Sequence, residues 1–378
     1  MKHKTIAIVI NTSWNIYNFR IGLLKALQKE GCRVVAIAPT DAYSKKLEEL
    51  GIKHYNIEIN NKGTNPVEDA KLIFAFRKCY KEITPDVILQ YTIKPNIYGS
   101  MAAGMLGIPV ISNISGLGTV FLDNSFSSKI ARFLYRIALK VPQKVFYQNA
   151  HDRELFVESG LVNKEKTDLL PGSGIDTEKF KPEVVRNESD GGVRFLFIAR
   201  LVKDKGIVEY VTAAKKILST IDYQPTTECA VLGAFYSGNP TAITEEEMKV
   251  WEEEGIVTYL GTSDDVGSVI SEYDCIVLPS YREGLSRVLL EAASMAKPII
   301  ATDVPGCREV VDDGVNGYLC EVKSADSLVK QMEKMAALSD EARMEMGRRG
   351  RMKVVSEFDE QLVIEKYLGA IVSVVGGQ

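Results

Sequence analysis

Four charged side chains in the second half of the sequence have the types and spacing to hold a phosphorylated sugar. Glu283 sits in the run Pro279-Ser280-Tyr281-Arg282-Glu283-Gly284, directly after an apolar stretch at residues 274–278. Glu291 follows with seven residues between the two, inside an amphipathic stretch at about 285–296. A carboxylate accepts two hydroxyl donors at once, which suits a pair of sugar hydroxyls. Gly284 permits a sharp turn, and Ser286 is a residue type that caps a helix. A helix starting at Leu285 or Ser286 turns its N–H groups and positive dipole end towards the loop, an arrangement that favours phosphate. Upstream, Arg200 and Lys205 bound the loop Arg200-Leu201-Val202-Lys203-Asp204-Lys205-Gly206. The guanidinium fork and the ammonium point charge together can neutralise a diphosphate. Two exposed cations and a chance glutamate pair are the bland reading of each feature taken singly.

Elements must place these groups, and the sequence alternates strand and helix signals throughout. Apolar runs at 5–10, 32–38, 53–59, 87–90, 110–113 and 145–149 read as strands. Helical stretches are expected at 21–30, 43–50, 66–82, about 95–104 and 152–159, with residues 11–20 a loop. The second half repeats the pattern. Strands are expected at 194–199, 229–233, 256–260 (closed by Gly261), 274–278 and 299–303, and helices at 264–273, 285–296, 307–311, 325–338, 340–355 and 358–375. This is the doubly wound α/β signature, in which ligands sit past the carboxyl ends of strands. No G-x-G-x-x-G follows the first strand, which disfavours a dinucleotide cofactor. Two segments of the first half sit where ligands bind. Gln90-Tyr91-Thr92-Ile93-Lys94-Pro95-Asn96 leaves one strand, and Gly116-Leu117-Gly118 leaves the next. Lys94 is an anion contact there, or else a solvated lysine ahead of a helix-starting proline.

Residues 127–147 carry another signal. Lys129, Arg132, Arg136, Lys140 and Lys144 recur at helical spacing, with Phe126, Ile130, Phe133, Leu134 and Ile137 nearby, until Pro142 breaks the helix. Such a basic amphipathic helix suits an anionic membrane surface, with a helix packed on the sheet and a solvated basic edge as the alternative.

At 378 residues the chain has room for two domains. A formal net charge of -4 leaves no basic excess for nucleic acid. Six scattered cysteines without a C-x-x-C pair read as reduced cytosolic thiols rather than disulfides or zinc ligands. Three dispersed histidines suggest no metal cluster, and no metal is expected. The apolar run near the N-terminus is too short for a signal peptide, and no run has the length of a membrane span.

The order Pro-Ser-x-x-Glu-Gly at 279–284, Glu291-Ala292, Lys297-Pro-Ile-Ile-Ala-Thr-Asp303, Gly306 and Asn316-Gly317 resembles the donor half of retaining glycosyltransferases of family 4. The Asn15–Arg20 run, the Thr92–Gly99 segment and Gly116-Leu117-Gly118 resemble one bacterial subgroup of that family. Its members add sugars to polyprenyl-diphosphate carriers, and the likeness is to its N-acetylgalactosaminyltransferases. The resemblance implies a GT-B fold, with two Rossmann-like domains facing a cleft. Residues 1–180 would bind the acceptor, 191–357 the nucleotide sugar, and 358–378 would form a helix crossing back to the first domain. It implies a metal-independent, retaining hexosyltransferase with no cofactor beyond the nucleotide-sugar substrate, expected to be UDP-linked. Catalytic roles fall to Glu283, Arg200 and Lys205, and donor binding to these with Gly261, Gly284, Leu285, Ser286 and Glu291. The acceptor side would use Asn15, Arg20, Thr92, Lys94, Gly116 and Gly118. Lys129, Arg132, Arg136 and Lys140 would face an anionic membrane, making the protein a peripheral one on the inner face of the cell membrane. Many relatives carry histidine just before the position of Lys94, where this chain has Ile93, so no base is transferred. A nucleotide-sugar epimerase on the same fold and a non-catalytic nucleotide-sugar-binding protein are the competing functions.

Overall fold

The computed structural model describes residues 1–60, 65–116, 126–182, 192–219, 227–236 and 238–376. The chain divides into two compact units, Met1–Gly174 with Glu360–Gln378, and Ile175–Asp359. The division falls at Gly174, ahead of the boundary between 1–180 and 191–357 that the sequence suggested. The cause is local: Ile175 donates its N–H to the Phe358 carbonyl at 2.9 Å, and Thr177 donates its hydroxyl to Asp359 at 2.5 Å. Both ends of the second unit are thereby tied to each other.

The first unit is built on seven parallel strands: β1 (Thr5–Val9), β2 (Arg33–Ala38), β3 (Lys53–Asn56), β4 (Val87–Tyr91), β5 (Val110–Ile114), β6 (Lys144–Tyr147) and β7 (Thr167–Leu169). Their spatial order is β3-β2-β1-β4-β5-β6-β7, all parallel. Central strands β1 and β4 are buried on both faces, hence their unbroken apolar runs. Helix α1 (Ser13–Lys29) begins eight residues before the expected start. Thr12 caps it by accepting from the Asn15 N–H, and Ile16, Arg20, Leu23, Leu24 and Leu27 form its buried stripe. The mixed run Asn15–Arg20, whose buried stripe includes Arg20, hid the start. Helices α2 (Ser44–Glu49), α3 (Pro66–Ile83), α4 (Ser100–Gly104), α5 (Phe126–Ala138) and α6 (Ala150–Glu158) complete the wrapping. α3 is capped by Asn65 and opened by Pro66.

Helix α13 (Glu360–Gly376) belongs to this unit, as the resemblance implied. Its Val363, Ile364, Tyr367 and Ile371 join a core cluster with Ile6, Ile8, Leu24 and Leu89. Gly174 has φ +71°, and a Cβ there would lie 2.5 Å from the Glu360 Cα, so the crossing requires glycine.

The second unit repeats the topology with six parallel strands: β8 (Arg194–Ile198), β9 (Glu228–Leu232), β10 (Thr258–Tyr259), β11 (Cys275–Leu278), β12 (Ile299–Thr302) and β13 (Gly317–Cys320), in the order β10-β9-β8-β11-β12-β13. Strands β7 and β13 were missed in the sequence, being three and four residues long and only partly apolar. Residues 307–311, expected as a short helix, form turns instead. Helices α7 (Ile207–Leu218), α8 (Glu245–Glu253), α9 (Val266–Ser271), α10 (Arg287–Ser294), α11 (Ala325–Ala336) and α12 (Asp340–Glu357) cover the sheet.

Candidate active site

In the second unit the loops after β8 and β11 lie side by side. Gly206 makes the close approach possible. It holds φ +77°, and a Cβ there would meet the Pro279 carbonyl oxygen at 2.0 Å. The Tyr281 N–H donates to the Asp204 carbonyl at 2.9 Å, and the Ser280 hydroxyl donates to the same carbonyl at 3.3 Å. This register brings Lys205 to Glu283, with Nζ donating to Oε1 at 2.5 Å. Both side chains are mostly buried, 20% and 12% exposed. The sequence named each residue but not their pairing across 78 positions.

A third loop supports Glu283 from behind. Gly306 holds φ +86°, and a Cβ there would lie 2.6 Å from the Glu283 backbone carbonyl. The Glu283 N–H donates to the Pro305 carbonyl at 3.3 Å, and the Ser286 N–H to the Gly306 carbonyl at 3.0 Å. Ser286 is the N-cap of α10, but its side chain makes no capping hydrogen bond, contrary to the expected role. The backbone bond to Gly306 fixes Ser286 instead. Gly284 and Leu285 complete the turn into the helix.

Glu291 is buried on α10 and accepts from Arg287 Nε at 2.9 Å, one helical turn away. Burial pushes its carboxyl above the ordinary range, and the Arg287 guanidinium pulls the other way. Arg200 lies with its guanidinium 4.9 Å from the centre of the Tyr236 ring, a cation–π contact. Gly261, at φ +70°, accepts from the Gly233 N–H at 2.8 Å and has open space where a Cβ would be. Two supporting groups escaped the sequence reading. Glu209 Oε1 accepts from the Tyr281 hydroxyl at 2.7 Å and so anchors the loop that carries Glu283. Arg287 was missed because helical spacing alone did not single it out among the surface arginines.

The first unit has its own polar cluster at the carboxyl ends of β4 and β5. Thr92, just past β4, holds φ +63°. A threonine in that region carries strain of about 1–3 kcal/mol, and such strain concentrates at functional sites. The chain then makes a π-helical turn, Pro95–Gly99, before α4. Lys94 donates to Asp69 Oδ1 at 2.9 Å, and the Tyr98 hydroxyl donates to Asp69 Oδ2 at 2.7 Å. Lys94 is therefore a largely buried, ion-paired lysine rather than a solvated one. Asp69 was missed because it lies in an ordinary helix start, 25 residues upstream.

Asn96 Nδ2 donates to the Asn113 carbonyl at 2.8 Å, and Asn113 Nδ2 donates to the Tyr367 hydroxyl at 2.9 Å. Tyr367, on α13, thus reaches the floor of this cluster. Arg20 is buried with its guanidinium 4.6 Å from the centre of the Tyr91 ring. Arg20 Nε, Asn15 Oδ1, Asn96 Oδ1 and Asn113 Oδ1 are buried without a hydrogen-bond partner. Buried polar atoms are normally satisfied, so this concentration marks the end of β4 and β5 as a place where ligand or water belongs. Gly116 holds φ +135°, and Gly118 lies outside the described residues.

On α5, Lys129 and Arg136 are exposed, as is Lys140 in the turn beyond it, while Arg132 is half-buried. Phe133 and Ile137 lie on the same exposed face, 61% and 42% accessible. Lys144 stands on β6 and pairs with Asp168 at 3.3 Å. Among the described residues no helix is long and apolar enough to cross a membrane.

Comparison with known proteins agrees in both halves. Residues 5–149 match the family described as glycosyl transferase 4-like, and residues 178–353 match glycosyl transferases group 1. The chain is 27% identical over 379 residues to the N,N'-diacetylbacillosaminyl-diphospho-undecaprenol alpha-1,3-N-acetylgalactosaminyltransferase of Campylobacter jejuni, covering 96% of this chain and 97% of that protein. It is 23% identical to the UDP-Gal:alpha-D-GlcNAc-diphosphoundecaprenol alpha-1,3-galactosyltransferase of Escherichia coli, covering 78% and 76%. Among solved structures, Anabaena HepE in complex with UDP and glucose superposes with a TM-score of 0.80 at 18% identity, covering 98% of this chain and 100% of that one. A glycosyltransferase from Rickettsia africae gives the same score over both whole chains, also at 18% identity. Two Rossmann-like units of matching strand order, each falling in a glycosyltransferase family, place this chain among the GT-B glycosyltransferases, with a 4-like first domain and a group 1 second domain.

Proposed function

We propose that this glycosyltransferase moves a hexose or N-acetylhexosamine from a UDP-sugar to a polyprenyl-diphosphate-linked saccharide, with retention of anomeric configuration and without a metal. The observation that carries the donor chemistry is the Lys205–Glu283 pair, braced by Gly206 and Gly306 beside the start of α10. A diphosphate that draws the Lys205 ammonium towards itself frees the Glu283 oxygens for sugar hydroxyls, so one bound ligand satisfies both partners. Arg200 and Lys205 offset the charge that develops on the departing diphosphate, the largest kind of catalytic contribution in such reactions. Glu291 accepts the ribose hydroxyls. Attack comes from the face the diphosphate leaves, which retains configuration, and the leaving phosphate takes the proton of the incoming hydroxyl. No side-chain base is needed on that route, which suits Ile93 at the position where relatives carry histidine.

The acceptor class is supported by the near-full-length likeness to a transferase whose name specifies an undecaprenol-linked substrate. It is supported again by the face of α5 and the turn beyond it, where Lys129, Phe133, Arg136, Ile137 and Lys140 share an exposed side. A basic face with exposed apolar side chains fits an anionic bilayer and supports the reading of peripheral binding at the inner face of the cell membrane. Exchange of Lys129, Arg136 and Lys140 for glutamine should cut binding to anionic vesicles by about 1 kcal/mol per charge. Unchanged sedimentation with such vesicles would remove the membrane role.

Nucleotide release tests the whole reading. Purified protein meets a panel of UDP- and GDP-sugars with a polyprenyl-diphosphate monosaccharide, beside the Glu283→Ala and Lys205→Ala variants. Acceptor-dependent release from one donor, lost in both variants, is the expected result. Release without acceptor conversion would indicate an epimerase or another donor-modifying enzyme. Tight UDP binding with no release from any donor would indicate a non-catalytic binding protein.

A further inference from the structure

We propose that a groove on the first unit, between edge strand β3 and helix α3, binds the carbohydrate portion of the acceptor, with Asp69 positioning Lys94 at its inner wall. This rests on the transferase reading above and extends it to a groove that the recognised motifs reach only at Lys94. The groove has a volume of about 610 Å³, inside the roughly 300–1,000 Å³ typical of small-molecule sites. Among the described residues β3 is the edge strand of this sheet.

The lining suits a sugar better than a phosphate or a peptide strand. Asn56 and Asn60 line it with amides tied to Thr40, Glu58 and Glu68, each with capacity for a second bond, and Tyr55 lines it with a ring. Ile57, Leu72 and Ala75 supply the apolar patches that meet the C–H faces of a pyranose. Three lysines (71, 78 and 94) stand against four acids (Glu58, Glu68, Asp69 and Glu82), so the groove has no cationic excess to attract an anion. Many hydrogen-bonding groups of both kinds, with small apolar patches and little net charge, match a neutral polyhydroxylated ligand.

Location and construction point the same way. Asn56 and Asn60 stand at the carboxyl end of β3, Glu68 and Asp69 in the first turn of α3, and Lys94 just past β4. That part of the groove is at the end of an α/β sheet where ligands bind, and from there the groove runs along α3 to Lys78, Cys79 and Glu82. Asp69 is 93% buried, and both its oxygens are taken, by Lys94 at 2.9 Å and by Tyr98 at 2.7 Å. A lysine has three N–H donors, and Asp69 Oδ1 takes one. A burial this costly for a carboxylate is explained if the pair holds an ammonium at a fixed place on the groove wall.

The test is direct binding without turnover. Saturation-transfer NMR is run with methyl glycosides of N-acetylglucosamine and N-acetylgalactosamine on the full chain, beside Ala75→Trp, Asn56→Ala and Asp69→Asn. Far-UV circular dichroism and the thermal unfolding midpoint of the full chain report intact folding for each variant. The expected result is transfer to the sugar ring protons that disappears in Ala75→Trp, where an indole fills the groove. Affinity should fall by about tenfold in Asp69→Asn. Equal transfer in wild type and Ala75→Trp, or none in the wild type, would overturn the assignment. Because this readout needs no nucleotide sugar, failure of the groove and failure of the transferase reading separate. Sugar binding lost in Ala75→Trp with no transfer from any donor would leave the groove standing and the transferase reading fallen.

Discussion

Each unit of this protein places a lysine–carboxylate pair past the carboxyl ends of its strands, but the lysine leaves a different strand in each. In the first unit Lys94 follows β4 and meets Asp69 of α3; in the second, Lys205 follows β8 and meets Glu283 after β11. In strand order β8 corresponds to β1 and β11 to β4, so Lys94 and Lys205 leave non-equivalent strands, and it is Glu283 that shares the position of Lys94. The difference is in how each pair is held. Glu283 sits on a loop gripped by glycines, Gly206 and Gly306, that would clash with any Cβ. Asp69 sits in a helix and is locked by a second side chain, the Tyr98 hydroxyl. One fold thus offers a backbone-braced pair suited to charge that changes during reaction, and a side-chain-braced pair suited to a ligand that is only held.

If that contrast is right, the two lysines fail differently. Lys205→Met should lower kcat by about 10²–10³ in nucleotide release at saturating donor, the usual loss for one stabilising group. Lys94→Met should mainly raise the KM for acceptor. Equal kcat losses in both variants would erase the distinction. The glycine brace comes next. Gly306→Ala forces a Cβ to 2.6 Å from the Glu283 carbonyl at φ +86°, and should cost about 1–3 kcal/mol in denaturant unfolding together with donor affinity. A variant of native stability and affinity would mean the loop is free to shift.

Tyr367→Phe sharpens the comparison from the other side. It removes the acceptor of the buried Asn113 amide and should cost about 1–3 kcal/mol, with the KM for acceptor rising and UDP affinity unchanged. The smallest effect is with pH. Glu291 has its pKa raised by burial, so it protonates above the ordinary value of 4.5 as pH falls. For stability, ionising such a group costs the folded state, and the contribution is favourable at low pH and lost as pH rises through the raised pKa. For donor binding the sign reverses, because only the carboxylate accepts both ribose hydroxyls. UDP affinity should weaken on acidification before ordinary carboxylates titrate, and Glu291→Gln should flatten the profile measured by calorimetry.

Legibility in the sequence followed the same divide. The loop after β11 was readable because its chemistry is local: Glu283, Gly284 and Ser286 fall within four residues, and Glu291 lies on the helix they start. Arg200 and Lys205 were named from a loop of seven residues. Their pairings were not readable, since Lys205 meets Glu283, and Tyr281 meets Glu209, across more than seventy positions. The polar cluster past β4 was readable only as Thr92 to Gly99. Asp69 and Tyr367 act there from a helix start upstream and from α13, where nothing in their neighbours marks them. The α1 start was missed for a related reason: its buried stripe includes Arg20, a charge where an apolar residue was expected.

The return of α13 sets an order of assembly. Residues Ile175–Asp359 are translated before Glu360–Gly376, so the second unit can fold on the ribosome while the first still lacks a wall of its core. Until α13 arrives, Ile6, Ile8 and Leu89 have an uncovered apolar face, and the Asn113 amide has no hydroxyl to meet. A nascent chain stalled near Asp359 therefore carries one finished domain and one sticky half-domain, and chaperone dependence should fall on the earlier-made half.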